Sequence, residues 1–244
     1  MSSNASLSEW FAGPQGGYLL AREQQRIDAV VADVFGYNAL QVGLPAHDLL
    51  RANRIAHRFT CDRNETAVVR ADPSELPFAT SSIDLVLLPH VLEFSRNPHH
   101  ILREVERVLV PEGSVVITAF NPFSLYGMRR MCSRGRGNHP WRGHYFSVPR
   151  LRDWLTLLGF ETPGAAFGCY APPTSSAGWQ QRWQFLERFG QRCWPVCGGF
   201  FLLHGIKRVQ GMRLITPQWR STKAAAKQLA PIARGRRIAP TNRT

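Results

Sequence analysis

Asp72 and His90 each directly follow a short apolar segment whose residue types predict a β-strand. Asp72 comes after the sequence AVVRA, and His90 comes after IDLVLLP. An almost unbroken apolar run is typical of a strand that is covered on both faces of a parallel sheet. Open α/β sheets bind ligands at the carboxyl ends of their strands. A carboxylate there can accept hydrogen bonds, and a histidine can exchange a proton, so the two residues mark a candidate ligand site.

Both residues also have an ordinary structural interpretation. The sequence DPSE, which begins at Asp72, suits a helix start with an N-cap aspartate, a first-turn proline and a capping-box glutamate. In that case the carboxylate would bind backbone N–H groups instead of a ligand. A histidine at a strand end is often a partly buried side chain with one satisfied nitrogen. The residue types alone leave these alternatives open.

The segments around these residues predict alternating helices and strands. Residues 17–35 space their apolar side chains as an amphipathic helix does, and Pro45 suits the first turn of a helix that runs to about residue 57. Asn97 and Pro98 suit the N-cap and first turn of another helix. The predicted strands are residues 39–43, 67–71, 83–91 and 114–120, followed by helices at 123–132, 148–158 and 179–189 and strands at 160–167 and 199–209.

This order predicts an α/β fold with a doubly wound, mostly parallel sheet. Strand, helix and strand in succession form the right-handed crossover of such a sheet. Residues 58–72, however, can hold two short strands but no helix between them. Parallel neighbours need a crossover of about a dozen or more residues, so residues 59–61 are not expected to pair in parallel with residues 67–71. The region of the second strand is therefore expected to be shortened.

The net charge of +13 is concentrated in two segments. Residues 129–152 contain seven arginines, residues 207–244 contain ten lysines and arginines, and neither segment contains an acidic residue. Such segments bind nucleic acids in a salt-sensitive, unspecific way, so RNA is a candidate partner. The expected domains are a helical segment at 1–37, a main domain at 38–210 with a basic insert at 121–150, and a basic, flexible tail at 211–244.

The cysteines and apolar segments predict a cytoplasmic protein. Five cysteines at irregular spacing fit a reducing compartment better than a disulfide framework. No signal peptide is recognised, and the longest apolar run, residues 196–206, is shorter than the roughly 20 residues of a membrane helix. Cys193, Cys197 and His204 could be zinc ligands, but the CxxxC spacing is loose and no second cysteine pair follows. No metal site is therefore expected.

The central block of the sequence resembles a known enzyme family. Its features are the turn DPSELPF, the strand that ends in a histidine, a helix and the sequence RVLVPEGSVVI, in that order. They resemble the type 11 family of class I S-adenosylmethionine-dependent methyltransferases, most closely over residues 71–122 and, through HYFSVPRLRDWLTLLGFE, to residue 161. The segment FNPFSLYGMRR resembles in particular a proteobacterial branch of that family with a reduced glycine motif.

The resemblance implies a Rossmann-like methyltransferase fold with S-adenosyl-L-methionine as the cofactor. In such enzymes the residue at the position of Asp72 accepts a hydrogen bond from the adenine amino group, beside an apolar wall. The residue at the position of His90 lines the methyl donor, and the loop after the first strand approaches the amino acid end of the cofactor. The implied cofactor-binding residues are Val42, Gly43, Leu44, Asp72, Leu76, Phe78, Pro89 and His90.

Two features depart from the family pattern. Family members usually carry Gly-x-Gly-x-Gly after the first strand, whereas here Gly43 is alone, Leu44 brings a side chain and Pro45 lacks an N–H. The acidic residue that usually binds the ribose hydroxyls is also hard to place, and Asp62 and Glu65 are the only candidates. Each of them could instead be an exposed turn carboxylate. A methyltransferase fold that binds without catalysis is therefore the second functional hypothesis.

The Arg-rich loop after the fifth predicted strand lies where such enzymes often contact their substrate. The loop also contains His139. Its arginines and aromatics could bind phosphate and a stacked base, or it could be a solvated loop that Trp141 and Tyr145 pack down. Transfer from a sulfonium is an in-line displacement, which needs a base only where the acceptor must lose a proton. His90, His144 and Tyr145 are the candidates for that base. A small molecule, a lipid or RNA could be the acceptor, and a basic nucleic-acid-binding protein is the third functional hypothesis.

Overall fold

The computed structural model describes residues 3–133, 139–173, 190 and 192–209. These described residues belong to one compact unit. The helix predicted at 179–189 and the tail predicted at 211–244 lie outside the described residues. None of the described helices is both long and apolar enough to cross a membrane. The described helices are α1 (Ser3–Ala12), α2 (Pro14–Val31), α3 (Pro98–Val108), α4 (Leu125–Cys132) and α5 (Val148–Leu157).

A seven-stranded sheet forms the centre of the fold. Its strands are β1 (Asn38–Val42), β2 (His57–Asp62), β3 (Val69–Arg70), β4 (Ile83–Pro89), β5 (Leu109–Phe120), β6 (Phe160–Gly168) and β7 (Phe200–Lys207). Their order across the sheet is β3-β2-β1-β4-β5-β7-β6. The first five strands pair in parallel, and β7 runs antiparallel between β5 and β6. The predicted α/β class with a doubly wound, mostly parallel sheet is confirmed.

Both faces of the sheet are covered by helices. On one face Val86 and Leu88 of β4 pack in a cluster with apolar side chains of α3 and α5. On the other face Leu85 and Leu87 pack in a second cluster with α1 and α2. Burial on both faces is the reason that the sequence of β4 is apolar at almost every position. The hydrophobic effect of these two clusters holds the strand ends in place.

Residues 45–56 form turns instead of the predicted helix. Polar side chains in this stretch bind nearby backbone groups. Asp48 Oδ1 accepts a hydrogen bond from the Leu50 N–H at 3.2 Å, and Asn53 Oδ1 accepts one from the Ile55 N–H at 2.8 Å. Such local bonds offer the backbone an alternative to helical hydrogen bonds. Pro45 would have permitted a helix to begin, but these side chains stabilise turns.

The second correction concerns β2 and β3, which do pair in parallel. Cys61 lies opposite Val69, and Asp62 lies opposite Arg70. A connection of six residues, 63–68, is sufficient, because β3 starts beside the carboxyl end of β2. The chain therefore only has to move sideways by one strand, and a full crossover is needed only when it must return along the whole strand.

Candidate functional site

The carboxyl ends of four neighbouring parallel strands meet at one edge of the sheet. Gly43 follows β1, Asp62 ends β2, Asp72 lies two residues after β3, and Pro89 ends β4. The topology therefore brings together the residues that were predicted to bind a cofactor from separate parts of the sequence. This edge is where open α/β sheets bind their ligands.

The backbone turns sharply where β1 and β4 end. The φ angle is +87° at Gly43, +48° at Leu44 and +53° at His90. Left-handed residues other than glycine are strained, and they cluster at functional sites. The side chains of Val42 and Leu44 are buried in the two different apolar clusters. These two residues can therefore offer only backbone groups to a ligand.

Alanine in place of Gly43 is expected to lower the free energy of unfolding by about 1–3 kcal/mol. An added Cβ would lie 2.9 Å from Cγ2 of Val91, and the φ angle is unfavourable for any L side chain. Gly164→Ala is the matched control, because a Cβ there has no neighbour within 4 Å. Urea unfolding of the two variants measures the difference. Equal stability of the two variants would mean that the turn does not require glycine.

Of the two candidate acids after β2, only Asp62 lies at the end of a strand. Its side chain is buried, and its Oδ1 accepts hydrogen bonds from the N–H groups of Arg63 at 2.6 Å and Asn64 at 3.4 Å. The side chain of Glu65 is 85% exposed and forms an ion pair with Arg70 at 3.4 Å. Of the two candidates, Asp62 is therefore the one that lies beside the ends of the neighbouring strands.

Asp72 is held by two neighbours. Its Oδ1 accepts a hydrogen bond from the Ser74 N–H at 3.0 Å, and its Oδ2 forms an ion pair with the Arg63 guanidinium. Burial would raise the pKa of the Asp72 carboxyl, but the bonds from Ser74 and Arg63 outweigh burial and lower that pKa. Residues 72–75 form a turn and no helix. The carboxylate is therefore ionised at neutral pH. It binds one backbone N–H, as the structural interpretation of the sequence DPSE predicted.

The segment after Asp72 packs against α3. Leu76 is 4% exposed, and its N–H donates to Glu104 Oε2 at 3.1 Å. Arg107 donates to the carbonyl oxygen of Leu76 at 3.0 Å. Phe78 is half-buried, and its ring centroid lies 6.2 Å from that of Phe59. Leu76 and Phe78 thus form an anchored apolar surface beside the strand ends.

The His90 ring lies between two carboxylates inside the protein. Its Nδ1 is 2.7 Å from Glu93 Oε2, its Nε2 is 3.2 Å from Glu23 Oε2, and all three side chains are fully buried. Burial alone would lower the pKa of His90, but the two carboxylates raise it to about 10. Burial raises the pKa of Glu93, against the opposing effect of His90. At neutral pH we therefore treat His90 as an imidazolium that donates to both carboxylates.

Aromatic rings enclose this buried cluster. The His90 ring centroid lies 4.2 Å from that of Phe120 and 5.4 Å from that of Phe11. Tyr145, from the basic insert, stacks on Phe120 with ring centroids 5.2 Å apart. Burial and then Glu93 raise the pKa of the Tyr145 phenol, which therefore stays protonated. The end of β5 thus joins the insert to the helices before β1.

Two arginines of the insert bind within the fold. The Arg129 guanidinium lies 4.6 Å from the Trp141 ring centroid and donates to the carbonyl oxygen of Pro173. The Arg130 guanidinium lies over Tyr145 and donates to the carbonyl oxygen of Gly143. These contacts support the interpretation that the aromatic residues of the insert pack it down.

The two histidines of the insert differ in exposure. The His144 side chain is exposed, and its backbone N–H donates to the Glu93 carbonyl oxygen at 2.8 Å. His139 is buried beside Phe94, with ring centroids 4.8 Å apart. Burial and then Arg142 lower the pKa of the His139 ring.

No cluster of three or more potential metal ligands occurs in the described part of the chain. Cys193 and Cys197 are exposed. His204 lies on β7, with its Nε2 3.1 Å from Ser114 Oγ.

Several residues of the site were not predicted from the sequence. The sequence did contain a signal that Glu23 is buried. Glu23 lies four residues from both Leu19 and Ile27, on the apolar face of a predicted helix. A charged residue at such a position needs a buried partner. Gln41 and Arg63 carried no local signal, since their partners are set by the tertiary fold.

The sequence is similar to bacterial proteins. A family model described as a methyltransferase domain matches residues 25–117. YafS from Escherichia coli is 34% identical over 154 residues, which are 62% of this chain and 64% of that protein. A malonyl-[acyl-carrier protein] O-methyltransferase from Methylovorus is 26% identical over 124 residues, which are 51% of this chain and 41% of that protein. The chain thus matches less than two thirds of the length of these relatives.

Solved structures share the fold. The complex of the Haloferax volcanii Trm112 methyltransferase activator with a methyltransferase gives a match over 86% of this chain and 99% of that chain, with a TM-score of 0.60 and 18% identity. A SAM-dependent methyltransferase from Archaeoglobus fulgidus matches over 82% and 97%, with a TM-score of 0.57 and 17% identity. Residues 25–117 of this chain therefore match a methyltransferase domain, and the sheet has the fold of the solved methyltransferases.

Proposed function

We propose that the protein transfers a methyl group from S-adenosyl-L-methionine to an acceptor molecule. The observation that carries this proposal is the convergence of Gly43, Asp62, Asp72 and Pro89 at one edge of the sheet, within the segment that matches a methyltransferase domain. The bound cofactor supplies a sulfonium methyl group, and its sulfur leaves without the help of an acid. The protein itself has to align the reactants and exclude water.

The groups at this edge suit the parts of the cofactor. Asp72 would accept a hydrogen bond from the adenine amino group, and Asp62 would accept hydrogen bonds from the ribose hydroxyls. A carboxylate has about four acceptor positions, so the bonds of Asp72 to Ser74 and Arg63 leave capacity for another. The loop that begins at Gly43 would bind the amino acid end with its backbone.

The remaining predicted contacts are apolar. Leu76 and Phe78 would flank the adenine ring, and Pro89, at the end of β4, would contact the methyl donor. An apolar wall with a few well-placed polar groups is the usual composition of a small-molecule site.

The acceptor would approach at the ends of β4 and β5. His90 is poorly suited to take a proton from it, because the ring is fully buried and its pKa is raised to about 10. His144 has an exposed ring, and Tyr145 lies half-buried beside the same strand end. These two residues are the better candidates for contact with an acceptor, which we expect to be a small molecule or a lipid.

RNA is less favoured as an acceptor. Nucleic-acid binding needs arginines that reach phosphates, whereas Arg129 and Arg130 donate to backbone carbonyls of the protein. We place the protein in the cytoplasm, because Cys132, Cys193 and Cys197 are exposed thiols, which suit a reducing compartment.

Asp72→Ala is expected to weaken binding of S-adenosylhomocysteine by about 10- to 100-fold, the range for loss of a hydrogen bond to a charged group. Isothermal titration calorimetry measures the affinity. Glu65→Ala is the matched control, because Glu65 is also a carboxylate at this edge that pairs with an arginine. It should bind as the wild type does.

Methyl transfer requires a second measurement. Transfer of a labelled methyl group from S-adenosylmethionine to components of a cell extract should occur with the wild type and be lost in Asp72→Ala. Absence of cofactor binding at millimolar concentration would contradict the proposal. Cofactor binding without any methyl transfer would favour the non-catalytic binding module.

A further inference from the structure

The Gln41 side chain lies beneath the one-glycine loop. Gln41 belongs to β1 and is 1% exposed. Its Nε2 donates to the carbonyl oxygens of Gly43 at 3.1 Å, Leu44 at 3.0 Å and His47 at 2.8 Å. Its Oε1 accepts a hydrogen bond from the Leu49 N–H at 3.1 Å. One carboxamide thus contacts the loop from its first residue to its last.

These contacts set the direction of the loop's N–H groups. In a planar trans peptide the carbonyl oxygen and the following N–H point in opposite directions. The Gly43 and His47 carbonyls point at Gln41, so the N–H groups of Leu44 and Asp48 point away from it. Within residues 43–49, the N–H groups of Gly43, His47 and Leu49 have acceptors in the described part of the chain, and those of Leu44, Ala46 and Asp48 have none. Of these three, the N–H groups of Leu44 and Asp48 are the two that the contacts of Gln41 direct outward.

Only a neutral carboxamide can make this set of contacts. It carries two N–H donors and one oxygen acceptor, and the donors are shared among three carbonyls. A carboxylate in the same place would face those carbonyls with acceptors alone. An apolar side chain would leave the Gly43 carbonyl without a donor, which costs free energy. The Leu44 and His47 carbonyls would keep the N–H groups of His47 and Leu49.

We propose that Gln41 is the positioning residue for the cofactor's amino acid end, in place of the missing glycines. Its carboxamide fixes the loop so that the outward N–H groups of Leu44 and Asp48 can bind a carboxylate. This inference rests on the proposed function, because it assumes that the loop binds S-adenosyl ligands. It explains how a loop with a side chain at Leu44 and no N–H at Pro45 can still bind them.

Two ligands distinguish positioning of the loop from a general effect on folding. S-Adenosylhomocysteine carries the amino acid end, and 5′-methylthioadenosine lacks it. Gln41→Glu is expected to weaken binding of S-adenosylhomocysteine by about tenfold or more and to leave binding of 5′-methylthioadenosine unchanged, both measured by calorimetry. If Gln41→Glu does not fold, Gln41→Met removes the same bonds without adding a charge.

Asn53→Asp is the matched control. Asn53 is also a buried carboxamide that donates to two backbone carbonyls, those of Val31 and Val34, and it lies outside the loop 43–49. This variant should bind both ligands as the wild type does. Equal effects of Gln41→Glu on the two ligands, or no effect on either, would overturn the inference alone. Failure of the wild type to bind S-adenosylhomocysteine would overturn the proposed function as well.

Discussion

Replacing Glu93 with alanine is expected to lower the free energy of unfolding by about 3–5 kcal/mol, the cost of breaking a buried ion pair. The Glu93 carboxylate accepts hydrogen bonds from the Phe120 N–H at 2.6 Å and from the His90 ring at 2.7 Å. Alanine would leave both donors buried without an acceptor, at the full cost of their desolvation. Urea unfolding at pH 7, followed by circular dichroism, measures the change.

Two further variants identify the cause of this loss. Glu65→Ala removes an exposed carboxylate that pairs with Arg70, and it should change the stability by less than about 1 kcal/mol. Glu93→Gln keeps the side-chain volume and an acceptor for the Phe120 N–H but removes the charge, so its effect should lie between the other two. If Glu93→Ala were as stable as Glu65→Ala, the buried cluster would not stabilise the fold.

The sheet could be predicted because its signals are local. The apolar run of β4 and the helical spacing of apolar residues in α3 each lie within a single segment. Each pattern by itself indicates which side chains are buried. The turns at residues 45–56 could not be predicted in this way. Pro45 permits a helix to begin, and the side chains of Asp48 and Asn53 are found to stabilise turns only when the backbone groups that they reach are known.

The parallel pairing of β2 with β3 was missed for a different reason. The crossover rule assumes that the second strand lies beside the full length of the first. Here β3 is two residues long and pairs only with Cys61 and Asp62. The length of a strand is set by tertiary packing, and the sequence of residues 58–72 contains no signal for it.

The candidate site was predictable in position and less so in its contacts. Asp72 and His90 were predicted to lie at strand ends, and they do. The partners of His90 come from residues 67 positions before it and three positions after it. A sequence pattern can mark Glu23 as a charge on an apolar helix face, but only the fold shows which group it meets.

The contribution of His90 to the stability of the protein is expected to fall as the pH rises from about 6.5 towards about 10. The pKa of His90 is about 10 in the folded protein, against about 6.5 in an unfolded chain. Between these values the folded chain holds a proton that the unfolded chain has lost, so a rise in pH favours unfolding. For one proton, the free energy of unfolding falls by at most about 1.4 kcal/mol per pH unit. The raised pKa of Glu93 acts in the same direction as the pH rises above the ordinary range of a carboxyl group.

Urea unfolding of the wild type and of His90→Asn between pH 6.5 and 8.5 tests this slope, because titrations that the two proteins share cancel in the comparison. Burial, with the neighbouring Asp62, raises the pKa of Cys61 from about 9 to about 11, so its thiol lowers the stability as the pH rises above about 8, in the same direction as His90. Burial lowers the pKa of His139 and His204, so these two rings oppose the effect of His90 near pH 6.5, where the unfolded chain still holds their protons. His90→Asn removes the titrating ring and suits the left-handed φ of that position, so its stability should vary less with pH. A wild type and a His90→Asn variant with the same slope would mean that His90 carries no extra proton in the folded state.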